Sequence, residues 1–204
     1  MYYHALFSLL ISLTFGSFAS GQALKRDRPA PARPVSIDES ILRQAIYDTA
    51  ATYLGMTEKT NHNDAKWISK INRYNGLSDR AFYCASAFNY VHRVNGLWLP
   101  VKAPGAVSSY FSDKTKIIYR RNQRGNNRSG IQPQKMDAVS LYASHIEAIA
   151  EDRFDPDADY VRCIGFNTTG GKGTKGGCYV NRRRMSEIKF IANWITPTLK
   201  QYKQ

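Results

Sequence analysis

The chain has 204 residues, with 29 lysines and arginines against 16 acidic side chains, a net charge of +13 and three cysteines. An odd number of thiols excludes a framework in which every cysteine is bridged within the chain. So basic a balance points to anionic partners.

An apolar block from Ala5 to Phe18, followed by the small residues Ala19, Ser20 and Gly21, has the pattern of a secretory signal peptide over residues 1–21. It carries no Lys, Arg, Asp or Glu, so removal leaves the charge unchanged. The expectation is a periplasmic or secreted protein with no transmembrane segment after processing. Residues 22–34 contain KRDRPAPARP, basic and proline-rich, which suits an extended tether and not a core. One domain is expected over residues 35–204.

Ser36 and Glu39 have capping-box spacing, and Ile37, Ile41, Leu42, Ala45, Ile46, Tyr53 and Leu54 continue a helical stripe to Gly55. A second helix is predicted from Asp64 to Tyr74, with Trp67, Ile68 and Ile71 inward and Asn75-Gly76 stopping it. A third starts at Cys84, buries Ala87, Phe88, Val91 and Val94, and ends at Asn95-Gly96; a short helical turn follows Pro104. The period then changes. Segments 116–119, 138–142, 146–150, 160–166, 177–181 and 188–194 are short, rich in β-branched or aromatic residues and separated by turn signals. Helices first and strands afterwards predict an α+β domain with an antiparallel sheet, and residues 121–134 read as a surface loop.

Tyr83-Cys84-Ala85-Ser86-Ala87-Phe88 places a thiol at a helix start, where backbone N–H groups favour a thiolate. His145, on a predicted strand, shares a face with Glu147 and Ile149, opposite Ile146, Ala148 and Ala150. Facing Cys84, it would complete a thiolate–imidazolium pair; taken alone, such a histidine is more often structural. The other histidines are worse placed: His4 lies in the leader, His62 in a polar loop, and His92 two turns along the helix from Cys84. An imidazole base needs an acceptor on its second nitrogen. Glu147 is near in sequence, but residues i and i+2 on a strand project in parallel. Asn167, arriving on another strand, can supply a side-chain oxygen; it also fits a turn, or a glycosylation acceptor in Asn167-Thr168-Thr169.

Cys163 and Cys178 flank the glycine-rich stretch 169–173 and are expected to form a disulfide that leaves Cys84 free. Alternatively all three are buried small side chains, since cross-strand register is not fixed by sequence. Asp155, Asp157 and Asp159 alternate like the start of a calcium loop, but Tyr160 stands where glycine is needed and Phe166 where glutamate is needed, so they read as a surface turn. Gly170-Gly171-Lys172-Gly173 lacks phosphate-loop spacing and reads as a hairpin loop. Arg120, Arg121, Arg124, Arg128 and Arg182–Arg184 are dispersed, with no aromatic-rich pattern between them, so no stable nucleic-acid partner is expected.

The order YCASAF, then MDAVSLY-ASHIEAIAE, then CIGFNTTGG resembles the CHAP group of cysteine, histidine-dependent amidohydrolases and peptidases, relatives of the NlpC-type cell-wall peptidases. YLGMTEKTNHNDAKWISKI is similar to the lead-in of some members. The resemblance runs from about Ala45 to Asn181 and is most specific at the cysteine and histidine segments. It implies a papain-like fold and a Cys84–His145–Asn167 triad cutting amide bonds in peptidoglycan without metal or cofactor. Tyr83, Glu58 and Asn63 would lie near the substrate groove. Two positions depart from the pattern: Met136 precedes Asp137 where glycine is usual, and Gly165 stands where many members carry a carboxylate. A reading from a different class is a noncatalytic module binding an anionic wall polymer.

Overall fold

A computed structural model describes residues 38–121, 130–142, 144–155 and 157–202. The predicted leader and tether, Ser36, and residues 122–129 of the predicted loop lie outside the described residues.

Helix α1 (Glu39–Ala51) is capped by Asp38, whose carboxylate accepts from Ser40 N at 2.8 Å. Glu39 accepts from Arg43 Nε at 2.9 Å, the i,i+4 contact of a helix surface. Helix α2 (Lys66–Tyr74) starts later than its sequence signal because Asp64 serves the preceding loop, accepting from Lys59 N, Thr60 N and Thr60 Oγ1. Helix α3 (Cys84–Val94) begins at the predicted residue, and a 3-10 turn spans Val107–Tyr110.

Six strands follow: β1 (Ile117–Arg120), β2 (Ala138–Leu141), β3 (His145–Ile149), β4 (Tyr160–Thr168), β5 (Gly177–Arg184) and β6 (Ile188–Ala192). They form one sheet in the order β1-β6-β2-β3-β4-β5, every neighbouring pair antiparallel. The α+β class with helices ahead of the sheet is what the chain adopts, with one addition. Strand β6 stops at Ala192 and helix α4 (Ile195–Tyr202) follows, its first turn held by Thr196 N donating to Asn193 Oδ1 at 3.0 Å.

Alternation along the strands supplies two cores. Ile146, Ala148, Ile164 and Phe166 face the helices and pack with Ile46, Ile68, Phe88 and Val91. On the other face Val139, Ile149, Val161, Cys163 and Ile191 form a second core with Tyr119 and Phe154.

That parity overturns the predicted disulfide. Cys163 lies opposite Asn181, and Cys178 lies opposite Phe166. The two thiols therefore sit an odd number of residues apart along the ladder, one in each core, and both are free, as is Cys84. No side-chain rotation carries a thiol through a sheet.

A buried ion pair ties the helix layer to the sheet. Arg43 Nη1 lies 2.9 Å from Asp137 Oδ1, and it also donates to Lys135 O. Burial pushes the Asp137 carboxyl up to about 6 against the opposing pull of Arg43.

Candidate active site

Tyr83 is the residue before α3, with a non-helical φ of −116°, and its carbonyl accepts from Ala87 N at 2.8 Å. Cys84 is therefore the first helical residue, where backbone N–H groups have no intrahelical acceptor. It is 7% exposed.

His145 opens β3 immediately after Ser144, whose φ of 55° turns the chain out of the β2–β3 hairpin. The Cys84 side chain lies near enough to bias the imidazole toward its protonated form. Burial opposes protonation of His145, but the Cys84 and Glu147 side chains outweigh it and hold the imidazole pKa up to about 9. His92, by contrast, is fully buried, donates from Nδ1 to Phe88 O at 2.7 Å, and is pushed down to about 4 by burial. His62 is exposed and bonded to Thr60.

Glu147 is the acceptor facing the second nitrogen. His145 Nε2 lies 3.4 Å from Glu147 Oε1, close enough for an ion pair though not aligned as a finished hydrogen bond. The Glu147 side chain is fully shielded and is held by Arg183, which donates from Nε to Oε2 at 2.9 Å and from Nη2 to Oε1 at 2.5 Å. Burial raises the Glu147 carboxyl, and the bonds from Arg183 with the neighbouring His145 imidazole more than reverse this, so it stays below its ordinary value. The parallel projection of i and i+2 side chains does not keep Glu147 from His145, because Gly165 opposite it in β4 leaves room for the carboxylate to lie over the strand.

Asn167 is placed differently from its predicted role. It has a φ of 55° at an irregularity between β4 and β5, and its side chain makes no hydrogen bond among the described residues. Its backbone N–H weakly opposes the upward push of burial on the Tyr83 phenol.

Tyr83, Glu58 and Asn63 assemble as a brace behind the start of α3. Tyr83 Oη donates to Glu58 Oε1 at 3.1 Å, Asn63 N donates to Glu58 Oε2 at 3.0 Å, and Asn63 Nδ2 donates to Arg80 O at 3.1 Å. Tyr83 and Glu58 are buried, so their polar atoms are spent on the brace. Burial pushes the Tyr83 phenol far up, which keeps it a donor. Gly176 permits this closeness: a Cβ there would stand 2.3 Å from Glu58 Oε1.

Sequence reasoning missed Arg183, which reads as one more basic residue in a run of three. The available signal was Gly165, since a glycine inside a strand often marks the close approach of another group. The predicted acidic turn is indeed a local one, with Asp157 N donating to Asp155 Oδ1 at 2.9 Å. Among the described residues no three His, Cys, Asp or Glu side chains gather to hold a metal.

A cavity beneath Cys84, lined by Phe88, Met136, Ile146, Ile164 and Phe166, holds only about 10 Å³, scarcely one water. The space beneath the thiol is thus closed to anything larger. Among the described residues no helix is long and apolar enough to cross a membrane. No model of a known protein family, no curated protein and no solved structure matches the chain. What defines the class is the molecule itself: an α+β domain that brings a helix-start thiol against an imidazole backed by a buried carboxylate.

Proposed function

We propose that the protein is a secreted or periplasmic cysteine amidohydrolase of the CHAP type, acting on amide bonds in peptidoglycan. One observation carries the reading: Cys84, at the first residue of α3, acts on the imidazole of His145, which lies 3.4 Å from the buried Glu147 carboxylate and is held charged at neutral pH. A thiolate beside an imidazolium is the form that attacks amides. The resemblance around YCASAF and ASHIEAIAE supports the same chemistry, and the +13 charge with a signal-like leader supports an anionic wall polymer as substrate.

In the proposed reaction Cys84 Sγ adds to the amide carbonyl carbon. The Cys84 backbone N–H, without an intrahelical acceptor, is placed to stabilise the oxyanion. The C–N bond breaks as His145 gives its proton to the leaving amine, forming a thioester. A water then loses its proton to His145 and adds to the thioester, releasing the acid and returning the thiolate–imidazolium pair. Glu147, and not Asn167, is the residue that holds the imidazole in register. Incubating purified muropeptides with the protein and weighing the products tests this reading: new free amines and carboxylates are expected from the wild type and none from Cys84→Ala.

The low exposure of Cys84 and the small cavity below it favour a second reading, a noncatalytic module with the same fold that binds the wall by charge. Wall binding without product release by the wild type would establish it.

A further inference from the structure

Glu147 is an unusual place for a carboxylate. It lies on a central strand, its side chain is fully shielded from solvent, and its alternation partner Ile149 belongs to the second hydrophobic core. A carboxylate so placed persists as an anion only with a partner. The partner comes from β5, beyond the intervening strand β4. Arg183 reaches over β4 with both Nε and Nη2 on the carboxylate, a two-pronged contact, and Nη2 also donates to Thr168 Oγ1 at 3.0 Å. The span is possible only because residue 165, directly opposite Glu147, is glycine. A Cβ there would stand 2.6 Å from both Cγ and Oε1 of Glu147.

Taking Cys84 and His145 as the reacting pair of the function proposed above, we propose that Arg183 is a positioning residue for His145. Its guanidinium, fixed by Thr168, locks the Glu147 carboxylate in the gap over Gly165, and that carboxylate sets the orientation and charge of the imidazole. A lysine would keep the charge but lose the planar fork, so the lock depends on arginine as such. The titratable groups acting on this array are Cys84 on α3 at His145, Cys163 on β4 at Glu147 with Glu151 nearby, Cys178 on β5 from the opposite face of the sheet, and Glu187 at Arg183. Burial keeps both of those β-strand thiols protonated, and Glu187 draws on Arg183 from outside the lock.

The test is an NMR titration of the His145 ring in the folded full-length protein, assigned by its loss in His145→Gln, alongside the pH profile of Cys84 alkylation by iodoacetamide. Arg183→Met should lower the His145 midpoint by a pH unit or more and move the alkaline limb of the alkylation profile with it. Arg183→Lys should restore part of the shift. Gly165→Ala, which leaves both charged residues in place but crowds the carboxylate, should move the midpoint in the same direction and decides the matter if Arg183→Met does not fold. An unchanged His145 midpoint in folded Arg183→Met or Gly165→Ala, with only the melting temperature lowered, would overturn the proposal. Because the titration needs no substrate, a wild type that releases no amines while the shift appears rejects the hydrolase reading and keeps the lock. Amine release with an unmoved midpoint does the reverse.

Discussion

At Cys84, position does more than identity: the residue is a small member of the core at the first turn of α3, and its sulfur has a helix end behind it and an imidazole nearby. Cys84→Ala should abolish product release while leaving the melting temperature within a few degrees, checked by amine assay and thermal unfolding. Glu147→Gln removes the charge facing His145 while keeping the shape. A fall in kcat on the order of 10²-fold is expected, the scale of a disturbed general acid–base group, and Asn167→Ala should cost far less. Equal losses in the two variants would return Asn167 to the orienting role. The same residues govern pH dependence. His145, raised to about 9, favours the folded state fully below its unfolded value near 6.5, and that contribution is lost as pH climbs through 9. His92, lowered to about 4, acts in the opposite sense: its contribution is present above the unfolded value and lost as pH falls toward 4. Thermal melts across this range should therefore peak between the two limbs, and His145→Gln should flatten the alkaline limb alone.

Among the elements, α1 and β2 are joined by a charged group with almost no access to solvent. The Arg43 and Asp137 side chains are 3% and 0% exposed, and Arg43 also contacts Glu39 and, at 3.4 Å, Asn193 just before α4 and Thr196 in its first turn. Arg43→Leu would strand the Asp137 carboxylate without its cation. A destabilisation of about 3–5 kcal/mol is expected, the usual cost of breaking a buried pair from one side, measurable by urea unfolding at neutral pH. Replacing Asp137 by Asn together with Arg43→Leu should recover part of it, since no buried charge is then left alone. Helix α4 belongs to this network, which explains why it escaped the strand-like pattern of 188–194. Asn193 leaves the sheet to hold Thr196, and Trp194 Nε1 donates to Tyr110 O at 2.9 Å. Tyr110, and Arg43 at Asn193, lie far away in sequence.

Across the whole molecule the charge is spread and often backed by aromatic rings. The Arg120 guanidinium lies 4.6 Å from the Phe190 ring centre, Arg182 lies 4.5 Å from that of Tyr160, and Arg121 lies 5.5 Å from that of Tyr142. Such pairs hold cations on the surface without neutralising them. If the proposed wall polymer is the partner, binding should weaken steeply as salt rises, because exposed charges are screened beyond roughly 8 Å at physiological ionic strength. Cys84→Ala should follow the wild-type curve in a pull-down with insoluble wall; a curve indifferent to salt would remove charge as the source of attraction.

By itself the sequence determined the three helices, the six strands and the thiol at the start of α3, since these rest on local periods and stop signals such as Asn75-Gly76 and Asn95-Gly96. It also marked His145 for Cys84. Only the tertiary structure decided that Glu147 and not Asn167 faces the imidazole, that Arg183 holds Glu147 from two strands away, and that Cys163 and Cys178 lie on opposite faces. The physical reason is register. Alternation fixes which residues of one strand share a face, but which residue of a neighbouring strand stands opposite, and whether a glycine there lets a side chain pass over, is settled by the packing of the whole sheet.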